Sequence, residues 1–207
     1  MLAGIPTDVL DRTTIIFMSD NGTPRGVTTA PFDSARAKLT PYEGGINVPL
    51  VIAGPTVTQP GTETDALVHA VDILPTVAAI TGVQISTLQR PDGSPQTIDG
   101  QHLLTWTLDP TNPSLRRNLY GEQSSPVGPP PYPSEDTLIA TDGRYKLIRF
   151  NDHDEFFDLS LGVYDEGPDL LPSGLGPIQT SAYQALGDFV ELQRRTLVYE
   201  GEPRPAP

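Results

Sequence analysis

Apolar positions in this chain fall in short runs, each ended by a cluster of polar or flexible residues. The most abrupt is Thr14-Ile15-Ile16-Phe17-Met18, followed by Ser19-Asp20-Asn21-Gly22. A run of that length without alternation is too short for a helix and predicts a strand buried on both faces, the pattern of a parallel sheet. Open α/β sheets place ligands beyond the carboxyl ends of such strands, so Asp20 and Asn21 stand where a site would be delivered. Gly22 lets the chain turn away with positive φ, which allows a carboxylate and an amide carbonyl to converge. On composition alone, Asp-Asn-Gly is more often a simple turn.

Residues 1–12 predict a short helical turn leading into that strand, and 48–53 a second buried strand closed by Gly54-Pro55. A third apolar stretch occupies 66–71. Asp72 is then a good N-cap for a helix with Pro75 in its first turn, Val77 and Ile80 on its apolar face and Gly82 at its end. Residues 23–37 carry neither apolar period and form a long loop, a kind that is usually functional. Residues 84–105 are turn-rich, and 119–122 predict a short strand. The tract 126–133 holds five prolines and reads as a stiff surface loop of polyproline character. Residues 137–141, the turn pair Asp142-Gly143 and the alternating 144–150 make the clearest hairpin, with 155–159 as a third antiparallel strand. After a loop at 162–177, residues 178–198 place Tyr183, Leu186, Phe189, Val190 and Leu197 on one helical face that would pack on this sheet. The tail past Glu200 is Pro-rich and frayed.

The formal net charge is −13 and the pI about 4.4, which argues against a nucleic-acid or anionic-membrane surface. An anionic substrate must therefore be drawn by local positive charge, and the loop supplies Arg25, Arg36 and then Lys38. Residues 152–169 contain seven acids and no Lys or Arg, the pattern of a solvated face. The absence of cysteine excludes disulfides, thiolate metal sites and a Cys nucleophile within these residues. No apolar stretch has the ~20 residues of a membrane span, and Met1 does not open a visible secretion signal. Because a core strand arrives after a dozen residues, Met1 is expected to lie inside a longer ancestral frame.

The segment Lys38-Leu39-Thr40-Pro41-Tyr42-Glu43-Gly44-Gly45-Ile46-Asn47-Val48-Pro49-Leu50 sets a cation, an acid and two glycines before the second apolar run. With the apolar run ending in S-D-N-G, this K-x-x-x-Y-E-G-G pattern and its V-P-hydrophobic continuation resemble the sulfatases of the alkaline-phosphatase superfamily. The match continues through Gly54-Pro55, Pro60-Gly61, Val71-Asp72-Ile73-Leu74-Pro75-Thr76, Asp99-Gly100-Gln101-His102-Leu103-Leu104 and Gly143-Arg144-Tyr145-Lys146-Leu147.

The resemblance implies an α/β fold: part of an alkaline-phosphatase-like mixed or parallel sheet with helices over 1–118. A small antiparallel sheet packed by a C-terminal helix follows over 119–200, and then a Pro-rich tail over 201–207. It implies Asp20 and Asn21 as two ligands of a divalent cation, Ca²⁺ with Mg²⁺ as the variant, consistent with hard oxygen donors. Lys38 would contact the sulfate or the bridging oxygen as the S–O bond breaks, a catalytic and substrate-binding role. Glu43 and the glycines after it would mainly fix the loop.

The chain also departs from the pattern. Leu39 stands where Gly is frequent, and Asn47 where Arg is frequent. The family's C/S-x-P-S-R segment, whose first residue becomes formylglycine, has no counterpart here, nor do its paired aspartates and upstream Lys and His. The chain therefore reads as the carboxyl-terminal portion of a sulfuric ester hydrolase, inactive alone, with formylglycine expected upstream and a missing amino-terminal half as partner. A phosphate or phosphonate ester hydrolase of the same superfamily and a non-catalytic interaction module are the alternatives. The family is often periplasmic or secreted. Other signals fail: Asp152-His153-Asp154 opens like an EF-hand loop but has Phe157 where Gly is needed and Val163 where Glu is needed. His69, His102 and His153 share no ligand spacing, and no G-x-S-x-G elbow occurs.

Overall fold

The computed structural model describes residues 4–125, 135–162, 165–196, 198–199 and 202–203. The proline-rich tract expected at 126–133 lies outside them, apart from which the elements follow in order. These are α1 (Thr7–Leu10), β1 (Ile15–Met18), α2 (Glu43–Ile46), β2 (Leu50–Ala53), α3 (Ile73–Thr81), α4 (Leu104–Leu108), β3 (Leu119–Ser125), β4 (Glu135–Thr141), β5 (Tyr145–Arg149), β6 (Asp154–Asp158), α5 (Pro177–Thr196), β7 (Val198–Tyr199) and β8 (Glu202–Pro203). They form two compact units, Met1–Met18 with Pro49–Arg116, and Ser19–Val48 with Arg117–Pro207.

In the first unit, β1 pairs with β2 antiparallel, from Ile15 opposite Ala53 to Met18 opposite Leu50. The mixed or parallel sheet expected of an alkaline-phosphatase-like core is thus corrected, since every sheet among the described residues is antiparallel. The physical reason lies in the connection. A parallel pair needs a long crossover, usually a full helix, whereas residues 19–49 supply only two 3₁₀ turns and the single turn α2. Nor is the ribbon buried on both faces: Phe17 is 61% exposed and its partner Val51 56%.

No strand forms at 66–71; the chain there makes a 3₁₀ turn, Ala70–Asp72, with His69 as its N-cap. Asp72 does precede α3, but its carboxylate makes no capping bond to that helix. It accepts instead from the His69 and Gln101 backbone N–H groups, each at 2.8 Å, and from the Arg116 guanidinium through both oxygens. Asp72 is fully buried. Burial by itself would raise its carboxyl, yet the Arg116 fork and the two N–H donors outweigh burial and hold it below the usual range. Thr76, also buried, accepts the Leu103 N–H at 2.8 Å and so fastens α3 to the segment before α4. Gly82 ends α3 with φ 76°, a left-handed cap that glycine adopts without strain.

The second unit holds a four-stranded antiparallel sheet in the order β3-β4-β5-β6. Alternation puts Leu138, Ala140, Tyr145, Leu147 and Phe156 on one face, where Leu186 and Val190 of α5 cover them. The β4–β5 turn is fixed by Asp142, whose Oδ1 accepts from Arg144 N at 2.9 Å and Tyr145 N at 2.6 Å, with Gly143 at φ 91°. Tyr145, Lys146, Leu147 and Ile148 are all buried, so β5 is covered on both faces. On the face opposite α5, Lys146 lies across from Phe157.

Two outcomes follow for stability. Leu147→Ala should cost about 3 kcal/mol, the range for truncating a buried leucine, and Phe17→Ala less than about 1 kcal/mol; urea denaturation of both variants measures the contrast, and equal losses would contradict it. Asp72 has a lowered native pKa, so its stabilisation is fully present above the ordinary carboxyl range near pH 4 and fades as pH falls through the lowered value. Thermal melts between pH 6 and pH 2 should therefore show a shallower acid-side loss in Asp72→Asn, whose absolute stability at neutral pH is lower; parallel curves would refute the assignment.

Candidate functional site

The polar residues after β1 belong to the second unit, and backbone bonds join them to the Y-E-G-G segment. Gly22 N–H donates to the Gly45 carbonyl at 2.9 Å, and Lys38 N–H to the Thr23 carbonyl at 3.0 Å. The approach is too close for side chains: a Cβ on Gly22 would run into the Gly44 carbonyl, and one on Gly45 into the Thr40 carbonyl. The two motifs that sequence singled out are therefore held side by side by their backbones.

What holds this loop is a set of charges that sequence did not assign to it. The Lys146 ammonium, fully buried, lies 2.7 Å from Glu43 Oε1 and 2.7 Å from Glu166 Oε1. Glu166, also fully buried, accepts the Glu43 backbone N–H as well. Arg36 Nη1 donates to the Gly167 carbonyl at 3.0 Å and reaches Glu166 at 3.5 Å. Its guanidinium lies 4.7 Å from the Tyr42 ring centre and 5.4 Å from that of Phe157. Tyr42 meets Phe157 edge-on and donates its hydroxyl to Glu155 at 2.8 Å. Burial first, then that hydrogen bond and the charge of Glu155, push the Tyr42 phenol up to about 12. Asn47, in the position where Arg is frequent in sulfatases, donates to the second oxygen of Glu43 at 2.9 Å.

Between these anchors lie Lys38 and Leu39. Leu39 has φ 72°, the only positive φ at a non-glycine residue among those described, and its side chain is exposed. That conformation accounts for the frequency of Gly at the matching family position, and here it costs backbone strain of about 1 kcal/mol. The Lys38 side chain is half-buried, Asn21 half-buried and Asp20 exposed. Among the described residues none of the three side chains has an ion-pair or hydrogen-bond partner. Of the three cations in this loop, Arg36 is consumed in bracing, while Arg25 is exposed and has no partner among the described residues. Glu43 is a brace.

The calcium expectation is corrected. Asp20 and Asn21 offer two side chains with three oxygens between them against the ~6 to 8 oxygen ligands that Ca²⁺ takes, and the described residues contain no group of three or more His, Cys, Asp or Glu able to hold a metal ion. The acid run at 152–169 is also not a solvated face. Glu166 and Asp158 are buried, Asp154 pairs with Arg149 at 3.0 Å and takes the Tyr183 hydroxyl at 2.6 Å, and Asp169 accepts the Phe156 and Leu171 N–H groups. The signal that could have exposed this was Lys146, a lone cation inside the apolar run from Tyr145 to Ile148.

A family model described as Sulfatase matches residues 6–83. The chain is similar to arylsulfatase K of Xenopus laevis, with 30% identity over 180 residues, which make up 83% of this chain and 30% of that protein. It superposes on a structure solved with its substrate D-glucosamine-2-N,6-O-disulfate with a TM-score of 0.64 and 22% identity, covering 89% of this chain and 34% of that one. On a 2-O GAG sulfatase the TM-score is 0.62 and the identity 19%, with 92% and 39% covered. The chain thus spans about a third of the length of these proteins.

The likeness runs through nearly the whole of this chain. That coverage corrects the reading of the likeness as one to a carboxyl-terminal portion only. Its sequence and structural neighbours place the chain in the sulfatase/alkaline-phosphatase superfamily.

Proposed function

We propose that the protein acts on sulfuric esters as a hydrolase, with Lys38 as the group that takes the sulfate and Asp20 and Asn21 as the polar side chains beside it. The observation that carries this is the Lys38 ammonium, left without a partner among the described residues on a loop braced at Arg36, Tyr42 and Glu43. In a chain of net charge −13, an anion is repelled by the average surface, so a fixed local cation decides where it binds. At about 4 Å such a cation attracts a unit negative charge by roughly 4 kcal/mol at an effective dielectric constant of 20. A sulfate monoester spreads its charge over its non-bridging oxygens, and more charge gathers on the bridging oxygen as the S–O bond breaks. A lysine whose backbone is already held in place stabilises that change with little reorganisation of the loop. The names of the similar proteins support the same reading, one being an arylsulfatase and one a 2-O GAG sulfatase.

Calorimetric titration with 4-nitrophenyl sulfate in the presence of EDTA tests the proposal. Lys38→Ala should weaken binding at least about tenfold, the equivalent of 1.4 kcal/mol, and leave the melting temperature nearly unchanged because the side chain has no partner to lose among the described residues. Binding of equal strength in the two proteins, or turnover of a phosphonate monoester without turnover of the sulfate, would overturn it.

A further inference from the structure

We infer that Lys146 is a positioning residue for Lys38: it grips Glu43 and Glu166, and through them it fixes the backbone that presents the free ammonium. The inference rests on the sulfate reading of Lys38 but draws on a different part of the molecule.

Lys146 occupies a position on β5 that an apolar side chain would fill, flanked by Tyr145 and Leu147 and opposite Phe157. A buried ion pair is a poor source of stability, because desolvating both charges consumes most of the attraction, and well-packed apolar replacements are often neutral or better. What the pair supplies here is one arrangement of the loop. Two of the three ammonium donors reach carboxylates, each at 2.7 Å. Glu166 also accepts the Glu43 backbone N–H, so Glu43 is gripped by both side chain and main chain. Glu43 opens α2, and the Gly45 carbonyl in that turn accepts the Gly22 N–H. Lys38 N–H is bonded to Thr23, the residue after Gly22. The path from Lys146 to Lys38 is therefore continuous: a buried ammonium, a carboxylate with its own amide, one helical turn, and two backbone bonds. Arg36 balances the charge, giving two cations against two carboxylates.

Two variants test this. Lys146→Met keeps length and removes charge; Glu43→Gln is milder and keeps an oxygen for Lys146. Amide hydrogen exchange is read at Gly22 and Lys38 against the β4 and β5 amides, and affinity for 4-nitrophenyl sulfate is measured on the same samples. Folded variants should lose about tenfold or more of the protection at Gly22 and Lys38 while keeping that of the sheet, the sign of local rather than global opening. Sulfate ester binding should weaken about tenfold through lost orientation, and adding Lys38→Ala should weaken it little further. If Lys146→Met does not fold, Glu43→Gln decides alone. A folded variant with wild-type protection at Gly22 and Lys38 overturns the inference. If Lys38→Ala leaves ester binding unchanged in the otherwise intact chain, the sulfate reading fails, and the exchange data still decide: lost protection upholds positioning and retained protection refutes it.

Discussion

One buried ammonium governs the second unit. Moving an isolated Lys146 ammonium out of water would cost several kcal/mol even after relaxation, so the fold must bring it acceptors, and it brings two, from segments more than a hundred residues apart in one case. Glu43 comes from the loop after β1 and Glu166 from the segment after β6. Glu166, fully buried, needs a cation in turn and is shared with Arg36 and with the Glu43 amide. The requirement is mutual, which is why a loop with almost no regular structure takes one conformation against the sheet.

The sheet makes this arrangement available through its two faces. One carries the apolar set that α5 covers, and burial of Leu147, Phe156, Leu186 and Val190 contributes about 1.5 to 3 kcal/mol for each side chain. The other carries Lys146 and Phe157, and there residues 36–43 settle with Arg36 and Tyr42 on the Phe157 ring. Stability and site geometry are thus separated across the thickness of β5: apolar burial on one side, and on the other a charged lock that selects the position of Lys38.

Local signals with a period or a turn were legible in the sequence. The Asp142-Gly143 turn and its alternating flanks found β4 and β5, and the apolar spacing at Tyr183, Leu186, Phe189 and Val190 found α5. The pairing of β1 was not legible, because an unbroken apolar run reports a lack of polar residues and says nothing about the direction of the partner strand. Asp72 was seen as a cap of α3, but besides the nearby His69 amide its partners, Gln101 and Arg116, lie 29 and 44 residues away, beyond any local pattern. For the same reason the acids at 152–169 looked solvated: a carboxylate paired at long range has the same sequence signature as one in water. The neighbourhood of Asp20, Asn21 and Lys38 was found through motif order, whereas the lock that holds it needed Glu43, Lys146 and Glu166 placed together in space.

The most direct test of this account is a double-mutant cycle on Lys146 and Glu166, with Lys146→Met, Glu166→Gln and the pair measured by urea denaturation. If the ammonium and the carboxylate depend on each other, each single change strands a buried charge and the double change relieves it, so the coupling energy should reach about 2 kcal/mol, toward the upper part of the range for contacting residues. A coupling below about 0.5 kcal/mol, within the additivity of independent sites, would contradict the claim that this pair organises the loop.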